Sequence, residues 1–244
     1  MLGLCAAFMA IVVYRYDLYD REPWALLLLC AAAGGGAMTV AGRVESLAFR
    51  IWPHLGDGAI ALLAAAVEEL GKLAVVAAVA VLARRYFNDP LDGLIYGSVA
   101  GLGAAVEESV GFLRVRAHAP SLLPGSEVVR IAGHLVMGGI GAFGLGALRF
   151  SRPRWPGWLI GSFGVAVALH FLWDWVSLEP LAPHREAVHV LTASVLMLGG
   201  LLVWRRLVAV GLAWSKAVFA PDPPFALDLR GLFAGAGDVV TMTT

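Results

Sequence analysis

The sequence predicts an all-α fold, a polytopic bundle of about seven transmembrane helices, and three observations lead to this prediction. The 244 residues are 59% hydrophobic and only 15% charged, whereas a soluble domain carries about 25% charged residues. The mean hydropathy is +0.78. Long apolar runs alternate with short polar breaks such as RYDLYDREP, RRYFNDP and RFSRPRWP, which have the composition of turns. The chain is therefore expected to be an integral, multi-pass membrane protein.

The apolar runs define the helices in chain order. A helix needs about 20 apolar residues to cross the hydrocarbon core of a bilayer, and all but two of the runs reach that length. The first run is too short for an untilted span and the last is marginal, so six or eight spans are also possible. The runs are residues 1–14, 23–41, 58–83, 91–113, 127–148, 156–178 and 187–204.

The distribution of Arg and Lys between the breaks predicts the orientation. Cytoplasmic loops carry the excess of positive charge, and with seven spans one set of loops and ends holds ten Arg and Lys residues while the other holds six. The richer set includes the C-terminal side, which we therefore place in the cytoplasm. The chain then divides into a transmembrane domain, residues 1–214, and a cytoplasmic C-terminal tail, residues 215–244.

Composition also excludes some classes of protein. Lys and Arg together equal Asp and Glu in number, so no nucleic-acid partner is indicated. Cys5 and Cys30 both lie in apolar runs, so no disulfide framework is expected. We expect the protein to lie in the lipid bilayer of the cell membrane. The simplest case is the inner or plasma membrane of a bacterium.

Polar residues inside the apolar runs are the strongest functional signal. At 1.5 Å per helical residue, Glu68 and Glu69 lie about 15 Å, Glu108 about 8 Å, His134 about 10 Å and His170 about 12 Å from one common membrane face. Asp174, at about 6 Å, belongs to the same layer. Carboxylates and imidazoles from four predicted helices thus lie in one layer of the membrane, near its outer face in our topology. In that layer they can meet.

A structural role for these residues has to be weighed against a functional one. Lys72 follows Glu68 by four residues and Glu69 by three, so it can pair with one of them as a buried ion pair. The other glutamate and the adjacent acids Glu107 and Glu108 remain unmatched. Because a charged side chain at bilayer depth costs at least about 2.5 kcal/mol, this excess of acids beside two histidines favours a functional site.

Four segments then resemble one known family in the same order along the chain. EELGK (68–72), DGLIYGSVAGLGAAVEES (92–109), GHLVMGGIGAFGLG (133–146) and HFLWD (170–174) resemble motifs of the PrsW family of intramembrane proteases, which is related to the CAAX proteases and bacteriocin-processing enzymes. The opening YRYDLYDREPW (14–24) also resembles that family's Asp…Glu-Pro segment. Ala104 and Ser109 depart from the usual Phe and Asn of the second motif, which leaves the shape of the substrate pocket open.

The resemblance implies an intramembrane endopeptidase that cleaves membrane-anchored proteins, including anti-sigma factors, with water activated by a glutamate. It implies Glu68, Glu69, Glu108, His134 and His170 as catalytic residues. Glu68 or Glu69 would be the base, Glu108 would orient the water and His170 would stabilise the oxyanion. The implied supporting residues are Lys72, which holds the glutamate pair, and Asp174, which fixes the His170 tautomer.

The same five residues leave a metal-dependent reaction open. Glutamates and histidines are ligands for Zn²⁺, although the HExxH helix motif is missing from the sequence. At the level of sequence we favour the reaction without a cofactor and keep zinc as the alternative. Two other functions stay open: a proton-coupled transporter, which also uses intramembrane acids, and a non-catalytic membrane scaffold that retains the motifs. The transporter reading is weakened because the two halves of the chain show no internal repeat.

The orientation is testable with reporter fusions. A reporter joined after Arg206 is expected to behave as cytoplasmic, because the loops on that side carry the larger number of Arg and Lys residues. Paired fusions of alkaline phosphatase and green fluorescent protein at this position measure the side directly. Alkaline phosphatase activity after Arg206 would reverse the topology.

Overall fold

A computed structural model describes residues 1–115, 125–150, 156–178 and 186–219, and these ranges are almost entirely helical. Seven α-helices follow one another in this described part, which confirms the all-α fold class. They are α1 (Leu2–Tyr14), α2 (Trp24–Ile51), α3 (Asp57–Leu82), α4 (Asp92–Val115), α5 (Gly125–Phe150), α6 (Gly157–Leu178) and α7 (Glu186–Phe219), with a short 3-10 turn at Arg84–Tyr86 between α3 and α4.

Within the described ranges, four helices are long and apolar enough to cross a membrane, judged by length and composition alone. These are α2, α5, α6 and α7. Helix α1 has 13 residues, about 20 Å, which agrees with the expectation that the first run is too short for an untilted span. Helix α3 is long enough, but Glu68, Glu69 and Lys72 interrupt its apolar sequence.

The helices extend beyond several of the predicted runs. Helix α2 continues past residue 41 to Ile51, and α7 continues past residue 204 to Phe219. Both extensions contain arginines and are therefore polar. The backbone hydrogen bonds of a helix can continue into polar sequence, so a helix does not have to end where hydropathy falls. Helix α7 therefore crosses residue 214, the predicted end of the transmembrane domain. The remainder of the predicted tail, residues 220–244, lies outside the described residues.

Helix α4 is the centre of the bundle and packs against α1, α2, α3 and α5. Its residues from Asp92 to Gly101 are all buried. Glycines make this possible: a Cβ on Gly101 would collide with the backbone carbonyl of His134 on α5, and a Cβ on Gly103 would collide with that of Ala31 on α2. Small residues let membrane helices approach this closely, so α4 and α5 come together at the level of His134.

Helix α3 turns a polar stripe toward the core. Its buried residues follow helical spacing along one face and include Glu68, Glu69 and Lys72 among the alanines and valines. The i, i+4, i+7 spacing places Ala61, Ala65 and Glu68 on one line. The charged residues of α3 are consequently enclosed by α5 and α6.

A second polar cluster anchors the segment between α1 and α2 at the other end of α4. The Tyr96 hydroxyl donates a hydrogen bond to the Glu22 carboxylate, whose own backbone N–H donates to Asp17 at 2.7 Å. Asp89 accepts a hydrogen bond from Ser215 on α7. Burial raises the pKa of Asp17 to about 7 and that of Glu22 to about 8. The cluster thus retains protons near neutral pH and holds the segment between α1 and α2 against α4 and α7.

The close approach of α4 and α5 predicts how glycine substitutions behave. Gly101→Leu is expected to lower the free energy of unfolding by about 3 kcal/mol or more, because its side chain meets backbone that cannot move aside. Gly111→Leu on the same helix is the matched control, since a Cβ at Gly111 has no neighbour within 4 Å among the described residues. Thermal unfolding in detergent, followed by circular dichroism, should separate the two variants. Equal melting temperatures would contradict the assigned packing.

Candidate catalytic centre

The five residues predicted as catalytic form one connected network. Glu68 and Glu69 come from α3, Glu108 from α4, His134 from α5 and His170 from α6. The imidazole rings of the two histidines meet edge to face, with centroids 5.3 Å apart. The histidines therefore lie at the middle of the network, and the acids surround them.

The first half of the network is the relay Lys72–Glu69–His170. The Lys72 Nζ atom lies 2.6 Å from Glu69 Oε1, and His170 Nδ1 lies 2.8 Å from the same oxygen. All three side chains are buried. Because an ionised carboxylate only accepts hydrogen bonds, the contact places a hydrogen on His170 Nδ1. When the ring is neutral, the lone pair is then on Nε2, on the other side of the ring.

The second half repeats this arrangement on α4 and α5. His134 Nε2 lies 2.9 Å from Glu108 Oε2, and the Arg130 Nε atom lies 3.5 Å from Glu108 Oε1. A neutral His134 with its hydrogen on Nε2 would direct it toward this carboxylate, and the lone pair would then be on Nδ1. Nδ1 is buried and has no hydrogen-bond partner within the described part of the chain. An unpaired buried acceptor of this kind is costly in a structural site.

Glu68 faces the available nitrogen of His170. Its Oε2 atom lies 3.5 Å from His170 Nε2, is buried and makes no hydrogen bond to any described residue. Asp174 Oδ2 lies at the same distance, 3.5 Å, from Nε2, and its side chain is 23% exposed. Glu69 contacts both Lys72 and His170 through its Oε1 atom, whereas Glu68 is the glutamate of the pair whose Oε2 atom has no hydrogen bond to a described residue.

Glu68, His134 and His170 have the chemistry and spacing of a metal site. One ligand atom from each lies within 4.8 Å of the other two. Two imidazoles and one carboxylate are a common ligand set of catalytic zinc, which keeps a further position for water. Each histidine also has its second nitrogen against a carboxylate, the usual support for a metal-bound histidine. The orphaned Nδ1 of His134 and Oε2 of Glu68 supply the unused donor atoms, so the residues fit zinc.

Three polar residues of this region are not among the predicted site residues. Arg130 and Glu127 form an ion pair of 2.5 Å on α5, and Glu45 of α2 interacts electrostatically with the acids of the site. The spacing Glu127, Arg130, His134 (i, i+3, i+7) places the first two on the histidine's helical face and is a signal that the sequence offers. The sequence offers no comparable signal for Glu45, because this residue lies in a polar stretch beyond the predicted second run.

The fold and the site together define a class: a multi-pass helical membrane protein with a buried acid–histidine centre suited to activate water. Residues 22–200 match the model of the family described as PrsW family intramembrane metalloprotease. The chain belongs to this family and is an intramembrane protease that acts on membrane-anchored proteins in the bilayer. No curated protein matches the chain, and no solved structure matches it.

The two glutamates of α3 are expected to respond differently to substitution. Glu69→Gln leaves the buried Lys72 amine without a counter-charge and should cost about 3–5 kcal/mol of stability, whereas Glu68→Gln should remain folded. The double variant Glu69→Gln/Lys72→Met should recover most of that stability. Chemical denaturation of the four proteins in micelles measures these differences. A Glu69→Gln protein as stable as wild type would show that the ion pair is not a structural requirement.

Proposed function

We propose that this protein is a zinc-dependent intramembrane endopeptidase in which Glu68, His134 and His170 hold the metal. The observation that carries the proposal is a pair of buried donor atoms, His134 Nδ1 and Glu68 Oε2, that have no hydrogen-bond partner among the described residues. His170 Nε2 lies 3.5 Å from the same Glu68 oxygen. A purely structural cluster would leave no such buried polar atoms unpaired. The description of the family as metalloproteases supports the same assignment.

The residues around the three proposed metal ligands have separate roles in the reaction. Zinc, when bound, polarises a carbonyl and lowers the pKa of a coordinated water toward neutrality. Glu69 and Glu108 keep the two imidazoles in the tautomers that leave a lone pair available. Asp174 is the partly exposed carboxylate beside His170, and it takes the proton from the attacking water and returns it to the leaving amine. Lys72 keeps Glu69 ionised in its buried position.

The substrate is inferred to be a single-pass membrane protein of the anti-sigma-factor type, cleaved within regulated proteolysis in the cell membrane of a bacterium. The burial of the centre supports this inference. Glu69, His134 and His170 are buried among helices, so a peptide bond has to reach them at membrane depth. Glu108 and Asp174, each with 23% of the side chain exposed, form the accessible edge of the centre.

A glutamate reaction without metal uses the same geometry in another way. The Oε2 atom of Glu68 would act as base, and His170, protonated on both ring nitrogens, would donate a hydrogen bond from Nε2 to the oxyanion. The observation that favours this alternative is the 3.5 Å separation of Glu68 Oε2 and His170 Nε2, which brings the base and the oxyanion donor to the same place in the centre. Loss of one oxyanion donor typically costs about a hundred- to a thousandfold in rate and leaves residual activity.

Zinc content and cleavage of a co-expressed single-pass membrane protein distinguish the two reactions. We expect the purified protein to hold about one zinc per chain, and a strong chelator to stop cleavage until zinc is restored. His134→Ala and His170→Ala should each lose the metal and at least about a thousandfold in rate, because each removes a ligand. His54→Ala, at an exposed histidine outside the centre, is the matched control. Full activity with substoichiometric zinc and indifference to chelators would establish the glutamate reaction instead.

A further inference from the structure

We infer that Arg130 is a positioning residue of the catalytic centre, the counterpart of Lys72 on the opposite side. It acts through Glu108 to hold His134 in the orientation that leaves Nδ1 free. The inference rests on the proposed function in so far as it assigns His134 Nδ1 to the metal. The two relays, Lys72–Glu69–His170 and Arg130–Glu108–His134, then have the same order of cation, carboxylate and imidazole.

Arg130 is fixed in place from three directions. Its Nη1 atom lies 2.5 Å from Glu127 Oε2, and its Nε atom lies 3.5 Å from Glu108 Oε1. The guanidinium group stacks on the Phe112 ring, 4.3 Å from the centroid. A side chain held by two carboxylates and a ring loses most of its rotational freedom, so the position of Glu108 becomes fixed as well.

Glu108 needs such a partner more than Glu69 does. The Glu69 side chain is 1% exposed and is enclosed by its neighbours, whereas the Glu108 side chain is 23% exposed. Without a cation, a partly exposed carboxylate is free to turn toward water and leave His134 without its acceptor. Arg130 opposes that rotation because it attracts the oxygen that does not contact the histidine.

An arginine suits this position better than a lysine. The planar guanidinium presents several N–H groups in a rigid fork and holds two carboxylates at once, while a lysine amine is a single point of charge. Here one edge of the fork faces Glu127 on the same helix and another faces Glu108 on α4. The pair Glu127–Arg130 thereby transmits the rigidity of α5 to a carboxylate on the neighbouring helix.

Within the described part of the chain, Arg130 contacts Glu108, Glu127 and Phe112. Its guanidinium group stays protonated and has no lone pair to offer, so Arg130 is not a metal ligand. A positioning role predicts an effect on turnover and on metal affinity, while a purely structural role predicts an effect on folding alone.

The test compares Arg130→Gln, Arg130→Lys and Glu127→Gln with Arg149→Gln. Arg149 is the matched control, since it lies on α5 and also stacks on aromatic rings, those of Phe87 and Phe150. The measurements are kcat and KM on a co-reconstituted single-pass substrate, the Kd for Zn²⁺ alone by chelator competition, and the melting temperature. For Arg130→Gln we expect kcat to fall at least about tenfold with KM nearly unchanged, and the Zn²⁺ Kd to rise about tenfold or more. Lysine should restore part of both, and Glu127→Gln should give a smaller loss in the same direction.

Several outcomes decide the inference independently of the zinc proposal. If Arg130→Gln and Arg149→Gln have the same kcat and Zn²⁺ Kd, Arg130 has no positioning role. If wild type is active without zinc, the zinc proposal fails, and the drop in kcat with rescue by lysine still decides the role of Arg130. If Arg130→Gln does not fold, Arg130→Lys and Glu127→Gln carry the test. Wild-type turnover in both of these would then overturn the inference.

Discussion

A buried ion pair, Lys72 with Glu69 at 2.6 Å, is the interaction on which the rest of this centre depends. Neither charge has access to water, so each is tolerated only because the other is present. Their pairing leaves Glu69 ionised and directed at His170 Nδ1. The orientation of His170 follows from that contact, and the free oxygen of Glu68 faces the other nitrogen of the same ring. One pair of charges on α3 thereby sets the chemistry of a residue on α6.

The opposite side of the centre depends on backbone packing as well as on charge. Gly97 and Gly101 on α4 meet backbone carbonyls of Gly138 and His134 on α5 without intervening side chains. This proximity brings Glu108, two turns further along α4, within reach of His134. The two relays are therefore built by different means, a buried salt bridge on one side and close helix packing with a partly exposed arginine on the other.

The protein separates its polar groups into two regions along α4. Asp92 and Tyr96 at the start of the helix belong to the hydrogen-bonded cluster with Glu22, in which the Tyr96 hydroxyl donates to Glu22 and the Asp89 backbone N–H donates to Asp92 Oδ2. Glu108 near the end belongs to the candidate catalytic centre, where His134 Nδ1 and Glu68 Oε2 have no hydrogen-bond partner in the described part of the chain. The two polar regions therefore lie at opposite ends of one buried helix.

The amino-acid sequence by itself determined the helical fold class and the membrane setting, and it predicted five polar residues that the structure brings together in one cluster. Hydropathy reveals helices, and a rise of 1.5 Å per residue gives each polar residue a depth. Depth does not specify how each helix is rotated or which neighbours touch. Only the tertiary structure decided that Lys72 pairs with Glu69 rather than Glu68, and that Glu108 contacts His134. Arg130 illustrates the limit best: along the chain it counts as a flanking charge, and it joins the centre because α4 and α5 approach closely enough for one guanidinium to face carboxylates on both.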